Sequence, residues 1–320
     1  MTPAMKGRIL ILGAGGRLGF AAALAFRDAG WSVTSMVRPG RIGIAARGTE
    51  IVEVVTRDQA IEAGEGCDVV LNALNPALTL WDRDALAHGH AGIAVAEANG
   101  ATLLYPGNLF IYGPDMPPVI DETTPANPAS RKGAMRVQIE NYIEDAVDRG
   151  MRAIILRAGD FFGSGTGSWL DLALTKDIRR RIITYPGPLD LPHTWAYLPD
   201  LTATMVGLAE RRAGFSAFET FGFAGHAPTG HELIEAMERA TGLTLYPRAM
   251  NWRLLKTFGR LFKTGRELVE LEYLWTTPHR ISENKLAGVL GMVPHTPLAQ
   301  ALEASMRTLY PGLYRKNRKR

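Results

Sequence analysis

Four glycines near the amino terminus have the spacing of a loop that holds phosphate groups. They are Gly13, Gly15, Gly16 and Gly19, and three of them, Gly13, Gly16 and Gly19, satisfy the GxxGxxG pattern. Gly13 permits a tight turn, Gly16 lets phosphates approach the backbone, and Gly19 lets the following helix pack on the preceding strand. Because the backbone N–H groups and the helix dipole favour a pyrophosphate there, we expect a dinucleotide site rather than an ordinary turn.

The end of the second predicted strand distinguishes NADP from NAD. An acidic residue about 20 positions beyond the loop would bind a ribose 2′-hydroxyl, but Val37 stands there and Arg38 follows. A guanidinium can bind a 2′-phosphate through paired hydrogen bonds, and Arg17 inside the loop can add a second cation. This favours NADP, with NAD as the alternative if both arginines are solvated surface charges. Further expected cofactor contacts are Leu18, Ala73 and Leu74.

The segments around this loop alternate between strand and helix. Residues 8–12 form a short apolar run that ends in glycine, which is typical of a strand buried in a parallel sheet. Residues 17–29 have apolar side chains at helical spacing and stop at Gly30. The alternation predicts an α/β fold with a Rossmann-type, doubly wound parallel sheet. Further predicted strands are 31–37, 51–55, 68–74, 102–105 and 153–156, and further helices are 81–98 and 132–149.

The pattern changes after residue 165. We expect residues 1–165 to form the NAD(P)-binding domain, with a return strand near 215–224, and residues 166–320 to form a smaller, mostly helical substrate-binding part. The predicted helices of this part are 232–240, 252–262, 266–275 and 298–309.

The composition indicates which partners and which cellular location to expect. The chain is 46% hydrophobic with a mean hydropathy of −0.03, and no apolar run approaches the roughly 18 residues that span a bilayer. Cys67 is the only cysteine, so no intramolecular disulfide can form. Four consecutive apolar residues, 9–12, are too few for a secretory leader. We therefore expect a cytoplasmic protein that binds a small-molecule substrate and has no membrane partner.

The basic tail at 315–320 explains the net charge. It holds five cations, which exceeds the formal net charge of +4, so the rest of the chain carries −1. No aromatic residue alternates with these charges, so we interpret the tail as a solvated end and expect no nucleic-acid partner.

Beyond the glycine loop, four further motifs stand along the chain. They are Ile-Tyr-Gly-Pro at 111–114, Asp-Glu-Thr-Thr-Pro-Ala-Asn-Pro at 121–128, Leu-Arg through Phe-Gly at 156–163 and Trp-Ala-Tyr-Leu-Pro-Asp at 195–200. With these motifs the chain resembles the short-chain dehydrogenase/reductase superfamily, in its extended branch of epimerase and dehydratase-like proteins. The resemblance implies a dinucleotide domain in the first half, a smaller carboxyl-terminal part that closes over the substrate, and a homodimer face along 132–149.

The chain departs from this family where the family does its chemistry. The family's Tyr-x-x-x-Lys motif, whose tyrosine moves a proton and whose lysine holds the nicotinamide ribose, reads Lys132 to Arg136 here, and Asn108 replaces the usual serine. Lys132 is a candidate proton donor, because burial and the like charge of Arg136 would favour release of its proton. Arg136 would hold the ribose or an anionic substrate, and Asn108 would donate to a carbonyl oxygen. Tyr112 is a further catalytic candidate. The alternative is that Lys132 and Arg136 are surface charges at a helix start.

Two further replacements concern the substrate. Nucleotide-sugar members of the family carry asparagine and arginine where this chain has Asp160 and His193. A carboxylate repels a diphosphate, which makes a nucleotide-sugar substrate less favoured. Asp160 and His193 can instead form an acid–base pair, unless His193 is a structural histidine in its proline-rich loop. Trp195 and Tyr112 are the aromatic residues we expect nearest the substrate.

These residues support one main hypothesis and two alternatives. The main hypothesis is an NAD(P)-dependent oxidoreductase that exchanges a hydride with a small hydroxyl or carbonyl substrate through a non-standard acid or base. The alternatives are a nucleotide-sugar epimerase or dehydratase, and an NADP(H)-binding redox sensor without turnover. We expect no metal, because the other six histidines lack ligand spacing.

Overall fold

A seven-stranded parallel sheet organises the chain. The computed structural model describes residues 6–314, apart from the side chain of Arg260, and the predicted basic tail at 315–320 lies outside the described residues. The strands are β1 (Arg8–Leu12), β2 (Ser32–Val37), β3 (Glu50–Glu53), β4 (Val69–Asn72), β5 (Thr102–Gly107), β6 (Val119–Ile120), β7 (Arg152–Arg157), β8 (Asp160–Phe162), β9 (Ile182–Tyr185), β10 (Trp195–Tyr197), β11 (Phe218–Gly222), β12 (Tyr246–Ala249) and β13 (Arg280–Ile281).

The helices cover both faces of this sheet and build the carboxyl-terminal part. They are α1 (Arg17–Asp28), α2 (Arg57–Ala63), α3 (Trp81–Asn99), α4 (Arg131–Asp148), α5 (Leu198–Arg211), α6 (Gly230–Thr241), α7 (Trp252–Phe258), α8 (Lys263–Val269), α9 (Tyr273–Thr276), α10 (Asn284–Leu290), α11 (Leu298–Leu309) and α12 (Pro311–Tyr314). None of these helices combines the length and the apolar character that crossing a membrane requires.

The strand order of the sheet is β3-β2-β1-β4-β5-β7-β11, and every pair is parallel. This confirms the predicted α/β fold with a doubly wound sheet. The edge strand β11 pairs with β7 and lies within 215–224, where a return strand is predicted.

The core forms two layers because β1 alternates its side chains between the two faces. Ile9 and Ile11 pack with α1 and α5 on one face. Leu10 and Leu12 pack with α3 and α4 on the other. The strand is buried on both faces, which explains why its sequence is a continuous apolar run.

The carboxyl-terminal part has its own apolar cluster, built mainly from α6, α11 and a π-helical segment, Leu170–Leu174. It also contributes to three two-stranded parallel sheets, β8–β10, β9–β12 and β6–β13. Such strands of two to four residues depend on tertiary contacts rather than on a repeating pattern, so the sequence does not predict them.

The helices predicted at 252–262 and 266–275 are each interrupted. α7 ends at Phe258, a 3-10 turn occupies Gly259–Leu261, and α8 follows. A Cβ atom on Gly265 would lie 2.5 Å from Gly259 Cα, so the two glycine backbones touch. The chain therefore turns back on itself as a helical hairpin, which the apolar spacing alone does not reveal.

Candidate functional site

The glycine loop between β1 and α1 has the geometry of a phosphate cradle. Gly13 has a φ of +79°, and a Cβ atom there would lie 2.9 Å from the carbonyl oxygen of Ala73. A Cβ atom on Gly19 would lie 2.3 Å from Gly13 O, so any side chain at that position would push the loop away from α1. Gly16 caps α1 without a side-chain hydrogen bond, and no acidic residue occupies the first turn. The N-terminal N–H groups of α1 therefore suit an anion.

Residues after β4 border the loop, and their contact with a cofactor stays a prediction. Leu74 N would lie 3.1 Å from a Cβ atom on Gly13, so Ala73 and Leu74 both border the loop. Leu18 is buried in the core beneath it. At the end of β2, Arg38 is exposed and forms no ion pair with residues 6–314. Its guanidinium is available to a ligand.

Arg17 points towards a different part of the site. Its Nη1 atom donates to Phe161 O at 3.4 Å and to Gly163 O at 3.5 Å. Burial lowers the pKa of Arg17, and the nearby carboxylates of Asp171 and Asp160 oppose this effect. These contacts place the guanidinium against β8, so they do not support the expectation that Arg17 joins Arg38 at a 2′-phosphate.

Arg136 lies at the carboxyl ends of β4 and β5. Its Nη1 donates to the Tyr105 hydroxyl, its Nη2 donates to Asn75 Oδ1 at 3.2 Å, and its Cζ lies 4.8 Å from the Trp81 ring centre. Its Nε is buried without a partner among the described residues, which leaves one donor for a ligand. Burial raises the pKa of Tyr105, so its hydroxyl stays protonated. The sequence reasoning did not identify Asn75 and Tyr105, although residues at the ends of β4 and β5 are expected to border a ligand in a parallel sheet.

The surroundings of Lys132 contradict the expectation that this residue donates a proton to the substrate. Its side chain is 0% exposed, and its ammonium donates to Glu267 and, at 2.7 Å, to Glu270. Arg131 also contacts both carboxylates. Two carboxylates therefore engage the ammonium of Lys132, which is not free to donate to a substrate. The alternative of a surface charge is also wrong for Lys132, because the side chain is buried.

Asn108 and Tyr112 have different surroundings. Asn108 Oδ1 accepts a hydrogen bond from Phe110 N at 3.0 Å, and within residues 6–314 the side-chain amide nitrogen has no hydrogen-bond partner. Tyr112 is buried in an apolar cluster with Leu271 and Leu274. Burial raises the pKa of Tyr112, which keeps the phenol protonated. The segment after α8 thus covers Tyr112, against the expectation that this ring lies nearest the substrate.

Asp160 and His193 lie in direct contact. β8 pairs with β10 so that Asp160 stands opposite Trp195, and a Cβ atom on Gly159 would lie 2.1 Å from Thr194 O. Only glycine allows the two segments to approach so closely. His193 Nε2 lies 2.8 Å from Asp160 Oδ2. The acid–base pair expected from the sequence is therefore present as a contact, and its catalytic role stays a prediction.

The surroundings of His193 fix its ring. Its Nδ1 lies 3.2 Å from Leu274 O, and the ring stacks on Trp275 with centres 3.9 Å apart and planes at 4°. Trp195, which is 2% exposed, meets His193 edge-on at 5.3 Å. Trp195 therefore supports the histidine from within the core, against the expectation that it lines the substrate.

The two hydrogen bonds of His193 define what the pair can do. Both ring nitrogens face oxygen acceptors, and an imidazole can satisfy both only if both nitrogens carry protons or Asp160 holds the second one. The contact therefore provides a path for a proton between His193 Nε2 and Asp160 Oδ2. The Asp160 side chain is 21% exposed and that of His193 is 5% exposed, so the carboxyl group is the part that a substrate can reach.

Two other histidines near the pair are held neutral. Burial lowers the pKa of His279 to about 4, and its ring lies 5.0 Å from that of His193. Burial likewise lowers the pKa of His226 to about 4. Within residues 6–314, no three His, Cys, Asp or Glu side chains group closely enough to hold a metal ion.

Comparisons with solved structures agree with this fold. A putative epimerase from Burkholderia cenocepacia J2315 is similar at 20% identity and a TM-score of 0.76, covering 97% of this chain and 100% of that one. A UDP-glucose 4-epimerase from Brucella ovis in complex with NAD has 15% identity and a TM-score of 0.75, covering 96% and 98%. A UDP-galactose 4-epimerase has 18% identity and a TM-score of 0.72, covering 96% and 100%.

No curated protein matches the chain in sequence. The family model of the NAD dependent epimerase/dehydratase family matches residues 9–218, which is more than half of the chain and runs from β1 to the start of β11. The glycine loop, the parallel sheet and the matched segment together show that this chain belongs to the NAD dependent epimerase/dehydratase family.

Proposed function

We propose that this protein is an NADP-dependent oxidoreductase that exchanges a hydride with a small hydroxyl or carbonyl substrate, and that Asp160 exchanges the accompanying proton. The observation that carries the proposal is the 2.8 Å contact between Asp160 and His193. The contact lies beside the glycine loop, because Arg17 of that loop donates to Phe161 O and Gly163 O on either side of the β8 end. A candidate proton-transfer group therefore lies next to a candidate phosphate cradle.

The residues present fit a dinucleotide. A side chain at Gly13 or Gly19 would collide with the backbone of the loop, so these glycines keep the space for a phosphate open. The buried Nε of Arg136 lacks a partner among the described residues. The loop would hold the pyrophosphate, Arg38 a 2′-phosphate, and Arg136 the nicotinamide ribose. When bound, the nicotinamide supplies or accepts the hydride.

The Asp160–His193 pair donates a proton when the substrate is reduced and accepts one when it is oxidised. When a carbonyl is reduced, a proton passes through the Asp160 carboxyl to the substrate oxygen, and His193 stays neutral with its Nδ1–H on Leu274 O. When a hydroxyl is oxidised, its proton returns to the pair. His193 is a positioning residue here, because its ring is buried behind Asp160. The side-chain amide of Asn108 would donate to a carbonyl oxygen of the substrate.

A nucleotide-sugar epimerase is the second candidate. The argument against it is repulsion between Asp160 and a diphosphate, and the structure offsets that repulsion with His193 at 2.8 Å and with Arg17 nearby. Two of the similar structures are described as UDP-sugar 4-epimerases. A redox sensor without turnover is the remaining alternative. Lys132 was a candidate proton donor, and its ion pairs with Glu267 and Glu270 remove it from that role.

A turnover assay tests the proposal. The purified protein is mixed with NADPH and a panel of small aldehydes, ketones and keto-sugars, and the loss of nicotinamide absorbance is followed. We expect Asp160→Asn to lower kcat by roughly 10²-fold or more while NADPH affinity is kept, because a general acid contributes about 10² to 10⁴. The matched control is Asp190→Asn, an exposed carboxylate of the proline-rich loop before His193.

Three results would overturn the proposal. Full turnover by Asp160→Asn would remove the assigned proton donor. Interconversion of UDP-glucose and UDP-galactose without net NADPH use would establish the second candidate. Tight NADPH binding with no consumption on any substrate would establish the sensor.

A further inference from the structure

The hairpin formed by α7 and α8 exposes an unusual amount of apolar surface. Leu254 is 54% exposed, Phe258 55%, Leu261 76% and Phe262 68%. All four lie within nine consecutive residues, whereas single exposed apolar side chains elsewhere are ordinary. We call residues 252–266 the basic hairpin.

The fold holds this hairpin at its base and leaves its tip free. Trp252 Nε1 donates to Pro186 O at the start of α7. At the other end, Glu267 binds the buried Lys132. The backbones of Gly259 and Gly265 touch between these anchors, so Leu261 and Phe262 lie at the turn. The exposed apolar side chains are therefore held outwards by specific contacts.

The charge of the hairpin is complementary to an anionic surface. Residues 252–266 contain five lysines and arginines and no acidic residue. Lys256 binds Glu272 at 2.6 Å. Arg253, Lys263 and Arg266 are exposed and form no ion pair with the part of the chain that the structure describes.

We propose that the basic hairpin docks on an anionic lipid membrane, with Leu261 and Phe262 in the headgroup region and the cations at the lipid phosphates. Exposed leucine and phenylalanine next to lysine and arginine are what interfacial binding requires. This revises the expectation of no membrane partner, which rested on the lack of a spanning segment, because docking needs no span.

Other occupants fit the surface less well. A second copy bound through the same face would set the exposed cations Arg253, Lys263 and Arg266 against their own counterparts, since a two-fold interface pairs a patch with itself. Single-stranded nucleic acid could stack on Phe258 and Phe262, but it would leave Leu254 and Leu261 in water. A lipid surface satisfies both the aliphatic side chains and the charges.

Cosedimentation with lipid vesicles tests the proposal. The full chain is mixed with phosphatidylcholine vesicles with and without phosphatidylserine. We expect binding to the phosphatidylserine vesicles that weakens as salt is added. Leu261→Ser with Phe262→Ser should lower the apparent affinity at least about tenfold, because two large apolar side chains no longer leave water. Met292→Ser, at a residue that is 85% exposed on another surface, is the matched control and should bind as the native chain does.

Further variants distinguish lipid binding by the hairpin from binding by the basic tail and from a loss of binding caused by misfolding. A chain ending at Tyr314 lacks the basic tail and should still bind, and the double serine variant should keep native NADPH affinity, which confirms its fold independently of turnover. Absence of binding to anionic vesicles, binding lost with the tail alone, or full binding by the double serine variant would each overturn the proposal. Self-association or RNA binding that the double serine variant abolishes, without lipid binding by the native chain, would overturn it too.

Discussion

Replacing Lys132 tests whether its buried ion pairs stabilise the fold. The ammonium is 0% exposed between Glu267, which is 4% exposed, and Glu270, which is 14% exposed. Lys132→Met keeps most of the volume but removes the cation, so two nearly buried carboxylates remain with only the half-exposed Arg131. Removing one partner of a buried ion pair costs about 3–5 kcal/mol. The ratio of folded to unfolded protein should therefore fall between about a hundredfold and a few thousandfold.

Urea unfolding followed by circular dichroism measures this change. The midpoint should move to lower urea with an unchanged slope, since the surface exposed on unfolding is the same. Lys132→Met combined with Glu267→Met should regain most of the loss, because apolar replacement of a buried pair is close to neutral. Arg307→Ala, which breaks an exposed pair with Glu303, is the control and should cost less than about 1 kcal/mol.

One outcome would refute this reasoning. Suppose that Lys132→Met unfolds at the same urea concentration as the native chain but loses turnover. The lysine would then act on the substrate, as the sequence-based hypothesis holds, and its contacts with the carboxylates would not stabilise the fold.

Two further predictions concern the cofactor and pH. Arg38→Ala should weaken NADPH binding by roughly 10- to 100-fold, the range of a lost charge-assisted hydrogen bond, and leave NADH binding unchanged in calorimetric titrations; equal losses for both would contradict the assignment. The pKa of His279, about 4, lies below its ordinary 6.5, so the unfolded chain takes up the proton first. Stability is therefore complete above pH 6.5 and falls as the pH drops towards 4, by up to about 3 kcal/mol for this group. Unfolding midpoints across this range should fall less in His279→Asn than in the native chain, and equal slopes would contradict the account.

The parts of the fold that follow local patterns were predictable from sequence. The buried run at β1, the glycines up to Gly19 and the helical spacing of α4 each determine structure over a few residues. The contact between Asp160 and His193 was predictable only through the family resemblance, since 33 positions separate the two residues.

The partners of Lys132 had no such signal. Glu267 lies 135 positions further along the chain, and no local pattern links a lysine at a helix start to a carboxylate in a distant helix. The stacking of Trp275 on His193 is similar, because it depends on how the carboxyl-terminal part folds over the sheet. These contacts decide which candidate residues can reach a substrate, so the sequence predicts the cofactor loop better than the chemistry beside it.

The most direct test of the account is a nicotinamide-fluorescence titration of the native chain and of Gly19→Ala with NADPH and NADH. A methyl group at Gly19 would lie 2.3 Å from Gly13 O and should abolish binding, whereas Gly288→Ala, whose Cβ atom meets nothing within 4 Å, should bind normally. The account predicts saturable NADPH binding by the native chain, weaker NADH binding, and no binding by Gly19→Ala. Absence of binding of either nucleotide to the native chain, or unchanged binding by Gly19→Ala, would contradict it.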